Sequence, residues 1–298
     1  MRSETFSTPG PVRLDLELPA GAIEIDASEA DETHVQLEAL SANEQVQEMV
    51  AAARIESTRR GDGYEVTVHV RTRHGVWISF SSGPDIRLGT PEMRLRISCP
   101  SRAELDVRTK SADLEAHGEY GRVDFKTASG DMSVDTARDV DVKTASGDVH
   151  FERVEGRLDA KTVSGEVEVR DQHGDFTGDT VSGSLTVQAA ELRHLRTKSV
   201  SGSVAVDVGT APSTIGVSTV SGDVTIRIPA DSGFDLNARS VSGRVVAGGE
   251  RLAEKPGKNG GRLSRGDGAV QLVAKTVSGD VTLLHAQPSS PETAGWTA

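Results

Sequence analysis

Cysteine is nearly missing from this chain, and aromatic residues are scarce. Cys99 is the single cysteine in 298 residues, which excludes an intramolecular disulfide and a cysteine-based metal cluster. Beside Pro100, at the end of a strand-like run, it reads as a small buried residue and not as a nucleophile. Phe, Trp and Tyr make up 3% of the chain. That is thin for the exposed rings on which sugar platforms and single-strand nucleic-acid grooves depend. Basic residues are the minority, 33 against 45 acidic, for a net charge of −12. Such a surface repels phosphate backbones, so nucleic acid is not an expected partner, and anionic membrane surfaces are disfavoured for the same reason. No apolar run approaches the roughly 18 residues of a membrane span, so no membrane insertion is expected. The opening "MRSETFSTPGPVRLDLELPAG" shows no basic segment followed by an apolar one, as a signal peptide would. Together with the lone thiol, this points to the cytoplasm.

What the chain has in abundance is one short phrase. "KTASGDMSVDTARDVDVKTASGDVHF" (126–151) says nearly the same thing twice. Aligned on the Ser-Gly pair, copies fall at Ser129, Ser146, Ser164, Ser182, Ser201, Ser221, Ser242 and Ser278, with a degenerate first copy at Ser111-Ala112. Three residues after each serine stands an apolar residue, from Leu114 through Val167 to Val281. Two further on is another, from Ala116 through Phe151 to Leu283. Six before it is a third, from Leu105 through Phe176 to Leu272. Within each strand these alternate with polar residues, the period of two of a strand with one buried face. The apolar spacings of three and four that a helical repeat needs are absent.

The fold expected is therefore all-β: a single-chain β-solenoid (β-helix) of about nine rungs of 17–21 residues, each turn stacking on the one before it. In this reading Gly supplies a positive φ at a tight corner. Ser bonds back to the local backbone, and the Val or Ala between Thr and Ser packs under the corner. The last spacing contains a rung with a long insertion at 248–268.

Residues 1–100 carry no Ser-Gly motif and read as a strand-rich N-terminal cap with one short helix near 42–54. Ser41 and Glu44 suggest a capping box there, and Val46, Met49, Val50 and Ala53 an apolar stripe. "YEVTVHVRTRHGVWISF" reads as two strands with a turn near His74-Gly75. Residues 101–285 form the solenoid and 286–298 a disordered tail.

Two charged columns flank the corner. Three residues before the serine, Lys126, Lys143 and Lys161 are basic; two after it, Asp131, Asp148 and Glu166 are acidic. Asp131, Asp148 and Glu166 are the candidates for a cation site or a catalytic carboxylate pair. The competing reading, in which the basic and acidic columns neutralise each other across the corner, is favoured. At one rung both charges change together: Ser184 replaces the acid and Asp179 the base. The eight histidines make no metal-ligating pattern, and no nucleophile elbow, P-loop or dinucleotide fingerprint appears. Only Tyr64, Trp77, Phe80 and Tyr120 are expected as exposed aromatics; Phe125, Phe151 and Phe176 fall inward. No catalytic, cofactor-binding or metal residue is assigned. Function is expected where the pattern breaks: the Asp179–Ser184 rung, the N-terminal cap and the 248–268 insertion.

At the repeated T-V-S-G-D-V (219–224 and 276–281, with Glu166 in the copy at 162–167), the chain resembles the bacterial DUF4097 family, β-strand-repeat proteins labelled "putative adhesin". The Pro-Ala-Gly corner at 19–21 and "IRIPADSGFDLNARSVSG" at 226–243 also fit, and the resemblance covers most of the chain. It implies a repeat of strands and an adhesive role at a surface; it brings no catalytic residues to carry over. The function expected is a non-enzymatic scaffold that binds a protein partner or itself. A carbohydrate-binding or carbohydrate-active β-helix is the alternative.

Overall fold

The computed structural model describes residues 1–71, 93–189, 191–209, 213–230, 232–255 and 258–285. The predicted turn near His74-Gly75, Trp77, Phe80 and the 286–298 tail lie outside them.

The repeat forms parallel, in-register ladders. Leu158 sits between Val140 on one side and Phe176 on the other. Beyond the corner, Val167 sits between Val149 and Leu185. Like residues thus stack on like, and the alternation in sequence becomes an inside and an outside. Phe125, Phe151 and Phe176 are all at most 1% exposed, as their columns predict. The result is an all-β, solenoid-like fold with one continuous apolar core.

The order of turns differs from the order in sequence at both ends. Toward the C-terminus, Ser213–Thr219 pairs with Val270–Thr276 (Ile215 with Leu272), and only then comes Phe234–Ser240 (Leu272 with Leu236). The matching strands after the corner repeat this, Val281–His285 lying between Val224–Ile228 and Val245–Ala247. The last turn in sequence is therefore second from the end in space. Toward the N-terminus, Val12–Ser28 pairs with Ala103–Lys126 on one side. On the other it pairs with Gly63–His69 and Met93–Pro100. The strands before residue 100 thus occupy the same two columns as the motif-bearing ones. Val270–Thr276 and Val281–His285 thus have their backbones paired on both edges.

The outermost strands are antiparallel. Arg54–Arg60 lies on Gly63–His69, and Glu32–Ala39 lies on Met93–Pro100 with Arg2–Ser7 beyond it. At the other end the 248–268 insertion supplies Lys258–Arg265 against Phe234–Ser240 and Glu250–Arg251 against Val245–Ala247. The helix Glu44–Ala51 joins Glu32–Ala39 to Arg54–Arg60 and buries Val46 and Val50. Its N-cap is Asn43, whose side chain accepts from Gln45 N–H. Ser41 stands two residues too early for the cap expected of it.

The corner glycines are not there for a positive φ. Among the described residues that conformation is found at glycines such as Gly118 and Gly174, and not in the Ser-Gly motif. The requirement is space. A Cβ on Gly147 would lie 1.9 Å from the Gly130 carbonyl oxygen, and one on Gly183 1.9 Å from that of Gly165. Each corner carbonyl points at the Cα of the next turn. Gly183→Ala is therefore expected to destabilise the fold by about 3 kcal/mol or more, the upper range of overpacking. At Gly216 an added Cβ meets nothing closer than 3.8 Å, and Gly216→Ala should raise stability by about 0.5 kcal/mol through the unfolded chain. Denaturant unfolding of the two variants distinguishes the causes, since a loss of backbone flexibility would affect both alike.

Candidate functional site

The corner is held by three hydrogen bonds that repeat from turn to turn. Thr127, Thr144, Thr162 and Thr180 accept, through Oγ1, the N–H of the glycine three residues on, each at 2.9 Å. Ser199 and Ser240 do the same at 2.8 Å. The motif serine reaches across turns and not back to its own. Ser182 and Ser201 donate their backbone N–H, at 2.8 Å, to the carbonyls of Val163 and Val181 in the preceding turn. Their hydroxyls add longer bonds to the same oxygens. Thr219 is the exception, its buried Oγ1 having no hydrogen-bond partner.

The acidic candidates have a structural task of the same kind. Asp113 Oδ1 accepts the N–H of Asp131, Asp131 Oδ1 that of Asp148, and Asp148 Oδ1 that of Glu166, at 2.8–2.9 Å. One oxygen of each carboxylate thus receives a backbone amide from the next turn, which offsets the repulsion between stacked acids. Among the described residues no group of three or more His, Cys, Asp or Glu side chains is arranged to hold a metal.

The basic column does not neutralise this acidic one. Lys126 pairs with Asp124, Lys143 with Asp141 and Lys161 with Asp159, two residues back on the same strand, at 2.8, 2.8 and 3.6 Å. The expected balance across the corner is thus replaced by balance along the strand, because residues two apart share a face and adjoin directly. Near the C-terminal end the turns interleave, and Arg244 meets Asp280 of the neighbouring turn. The Arg244 N–H donates to Asp280 Oδ1 at 2.8 Å and its guanidinium to Oδ2 at 2.7 Å. These bonds, the backbone one foremost, hold the Asp280 carboxyl below its ordinary value.

The residue between Thr and Ser does not pack under the corner. Val163, Val181, Val200, Val220 and Val277 are 47–51% exposed, and Val241 is 66% exposed. The signal was present in the alternation. With the threonine inward, the next residue must point out, and the chain turns without breaking that rule. Sequence reasoning missed this column by treating valine as core on its chemistry alone.

One further expectation changes, that for Tyr120. Tyr120 is 2% exposed, not a surface ring. Its hydroxyl donates to the carbonyls of Ile25 and His117, both at 2.9 Å. Cys99 is buried as expected, and desolvation pushes its thiol up to about 12, which keeps it protonated and inert. On the outer face before the corner, a shallow groove of about 540 Å³ runs between Arg157, Asp175, His194, Arg196 and Gly216. Gly216 opens it by having no side chain. Among the described residues no helix is long and apolar enough to cross a membrane.

These in-register columns and their Ser-Gly corners define a repeat-built β protein. The chain belongs to the DUF4097 family, described as Toastrack, whose profile matches residues 12–284. No curated protein matches it. Among solved structures it is similar to a putative adhesin from Parabacteroides merdae ATCC 43184, 10% identical, over 96% of each chain, with a TM-score of 0.52. It is also similar to a putative adhesin from Parabacteroides distasonis ATCC 8503, 10% identical, over 96% of each chain, with a TM-score of 0.48. The first of these likenesses bears on the fold alone.

Two outcomes test the corner chemistry. Thr180→Val leaves the Gly183 N–H without its acceptor and should destabilise by about 1–3 kcal/mol, whereas Thr219→Val should be near neutral. Equal losses at both sites in denaturant unfolding would contradict the assignment. Folding depresses the Asp280 pKa below its ordinary 3.8. The carboxylate therefore stabilises the fold above about pH 4, and the contribution is lost as pH falls through the lower folded value. Thermal unfolding of Asp280→Asn should consequently depend less on pH below about pH 4 than that of the unaltered protein.

Proposed function

We propose that this protein is a non-enzymatic interaction scaffold, adhesin-like in that it works by presenting a surface to a protein partner or to itself. The observation that carries the reading is the exposed valine column. A line of half-exposed β-branched side chains on an otherwise charged surface is the kind of apolar patch that marks an interaction site. In the acidic column, the best place in the sequence for catalysis, Asp131 and Asp148 already have one oxygen each engaged with a backbone amide, which supports a scaffold over an enzyme. The names of the structural neighbours lean the same way. The nine Ser-Gly-type turns form the body of a rod. The helix with its flanking strands caps one end, and the 248–268 strands cap the other, in keeping with the need to cover an open sheet edge. A cytoplasmic location belongs to this reading, with the buried Cys99 thiol consistent with it. The net charge of −12 argues against nucleic acid as the partner.

One observation favours a second reading. The groove beside Gly216 is lined by Arg157, Arg196 and Lys198 against one carboxylate, Asp175, a net basic lining on an acidic protein that suits an anionic sugar.

The two readings separate in one experiment. Immobilised protein and its Val163→Asp/Val200→Asp variant are exposed to native cell extract, and bound proteins are identified by mass spectrometry. A protein held by the unaltered chain and lost from the variant is the expected result. Equal capture by both, together with binding of uronate oligosaccharides that Arg196→Ala abolishes, would replace the scaffold reading with the carbohydrate one.

A further inference from the structure

The valine column has a geometry that selects its own occupant. Its members lie in single file, one per turn, in the spatial order Val163, Val181, Val200, Val220, Val277, Val241. The N–H of each following serine donates to the valine carbonyl of the preceding turn, at 2.8–2.9 Å. The corner does not require valine for this. Lys110, Ala128 and Ala145 accept the same backbone bonds, from Ser129, Ser146 and Ser164. Apolar bulk on the outside is thus an addition confined to one half of the rod.

The column is flanked by charge of opposite sign on its two sides. Two residues before the valine lies the basic flank, with Lys161, Lys198 and Lys275. Three residues after it lies the acidic flank, with Glu166, Asp223 and Asp280. An identical column can face this one in two ways. If the rod axes run antiparallel, basic flank meets basic flank and acidic meets acidic. If they run parallel, about a two-fold axis along the rods, each basic flank meets the acidic flank of the other copy at the same level. Lys161 then stands opposite Glu166, and Lys275 opposite Asp280. The turn that carries Asp179 presents Ser184, and the turn that carries Asp223 presents Ser218, so no level sets acid against acid. The joint change of Asp179 and Ser184, which has no counterpart in an ion pair across the corner of one chain, is accounted for between two chains. One level, Arg239 opposite Arg244, sets like charges together, and Asp280 lies between the two levels, bonded to Arg244 of its own chain and facing Lys275 of the other.

We propose that the protein pairs with a second copy of itself along this column, with rod axes parallel and equivalent turns level. The proposal deepens the scaffold reading and rests on it. Six valine turns at about 4.8 Å, across a face about 15 Å wide, bury about 800 Å² in total, which places the pair among weak, transient complexes. Dissociation in the range of tens of micromolar is expected, about the affinity of a small interface.

Sedimentation of the full chain from about 5 µM to 1 mM should show reversible dimerisation, a range set to bracket that affinity. Val181→Lys/Val220→Lys should weaken it at least about 10-fold, with the thermal midpoint little changed, because both side chains are exposed. Orientation is read by cross-linking, with the buried Cys99 as an inert background. In a parallel pair, Val163→Cys and Val277→Cys each form a disulfide with their own kind faster than a mixture forms the hybrid. A preferred hybrid overturns the parallel arrangement, and a monomer at every concentration overturns the pairing. So does a dimer indifferent to the lysine substitutions. A chain that stays monomeric while still losing its captured partner through Val163→Asp/Val200→Asp overturns self-pairing and leaves the scaffold reading standing.

Discussion

The close approach of one turn's carbonyl to the next turn's glycine governs the rest of the structure. At Gly202 a side chain would begin 1.8 Å from the oxygen of Gly183, so the corner can close only with hydrogen there. Once the corners are in contact, every other column is set in register. The threonine hydroxyl finds the glycine N–H, the serine N–H finds the carbonyl below, and the acid finds the amide of the next turn. Each bond is modest, about 1 kcal/mol net, but an unpaired corner would leave several buried polar groups exposed to their full desolvation penalty. The repeat is therefore strict where backbones touch and lax where side chains point outward.

That division explains what could be read in the sequence. The inward columns were legible because apolar residues at a period of two have a single physical solution when they recur at a fixed distance. Phe151 and Phe176 fall where the spacing requires. The glycine was assigned to the correct corner for the wrong reason, since positive φ and close approach both demand Gly and a sequence does not tell them apart. The order of turns was illegible. Val270–Thr276 and Phe234–Ser240 carry the same pattern, and either could follow Ser213–Thr219. Only the pairing in three dimensions distinguishes them. The pairing of Lys143 with Asp141 instead of Asp148 was similarly hidden, because the sequence offers each lysine an acid on either side.

For function the consequence is a separation of roles. Polar groups at the corner face the backbone and maintain the stack, so the most repeated part of the motif, T-x-S-G-D, is the least available for recognition. The variable position within it points outward and is free to serve a partner. Lys110, Ala128 and Ala145 occupy it in the first turns and valine in the later ones, so bulky apolar side chains at this position are confined to the later turns. The 248–268 insertion, the longest break in the pattern, supplies the antiparallel strands that close the far end.

The interleaved order of turns is the most direct test of this arrangement. Hydrogen–deuterium exchange followed by peptide should show 270–276 and 281–284, although near the chain's end, among the slowest-exchanging segments. They should be slower than 261–265, the part of the antiparallel strand Lys258–Arg265 that is paired on one side only. Fast exchange of 270–284, as expected of a terminal turn stacked last, would contradict it.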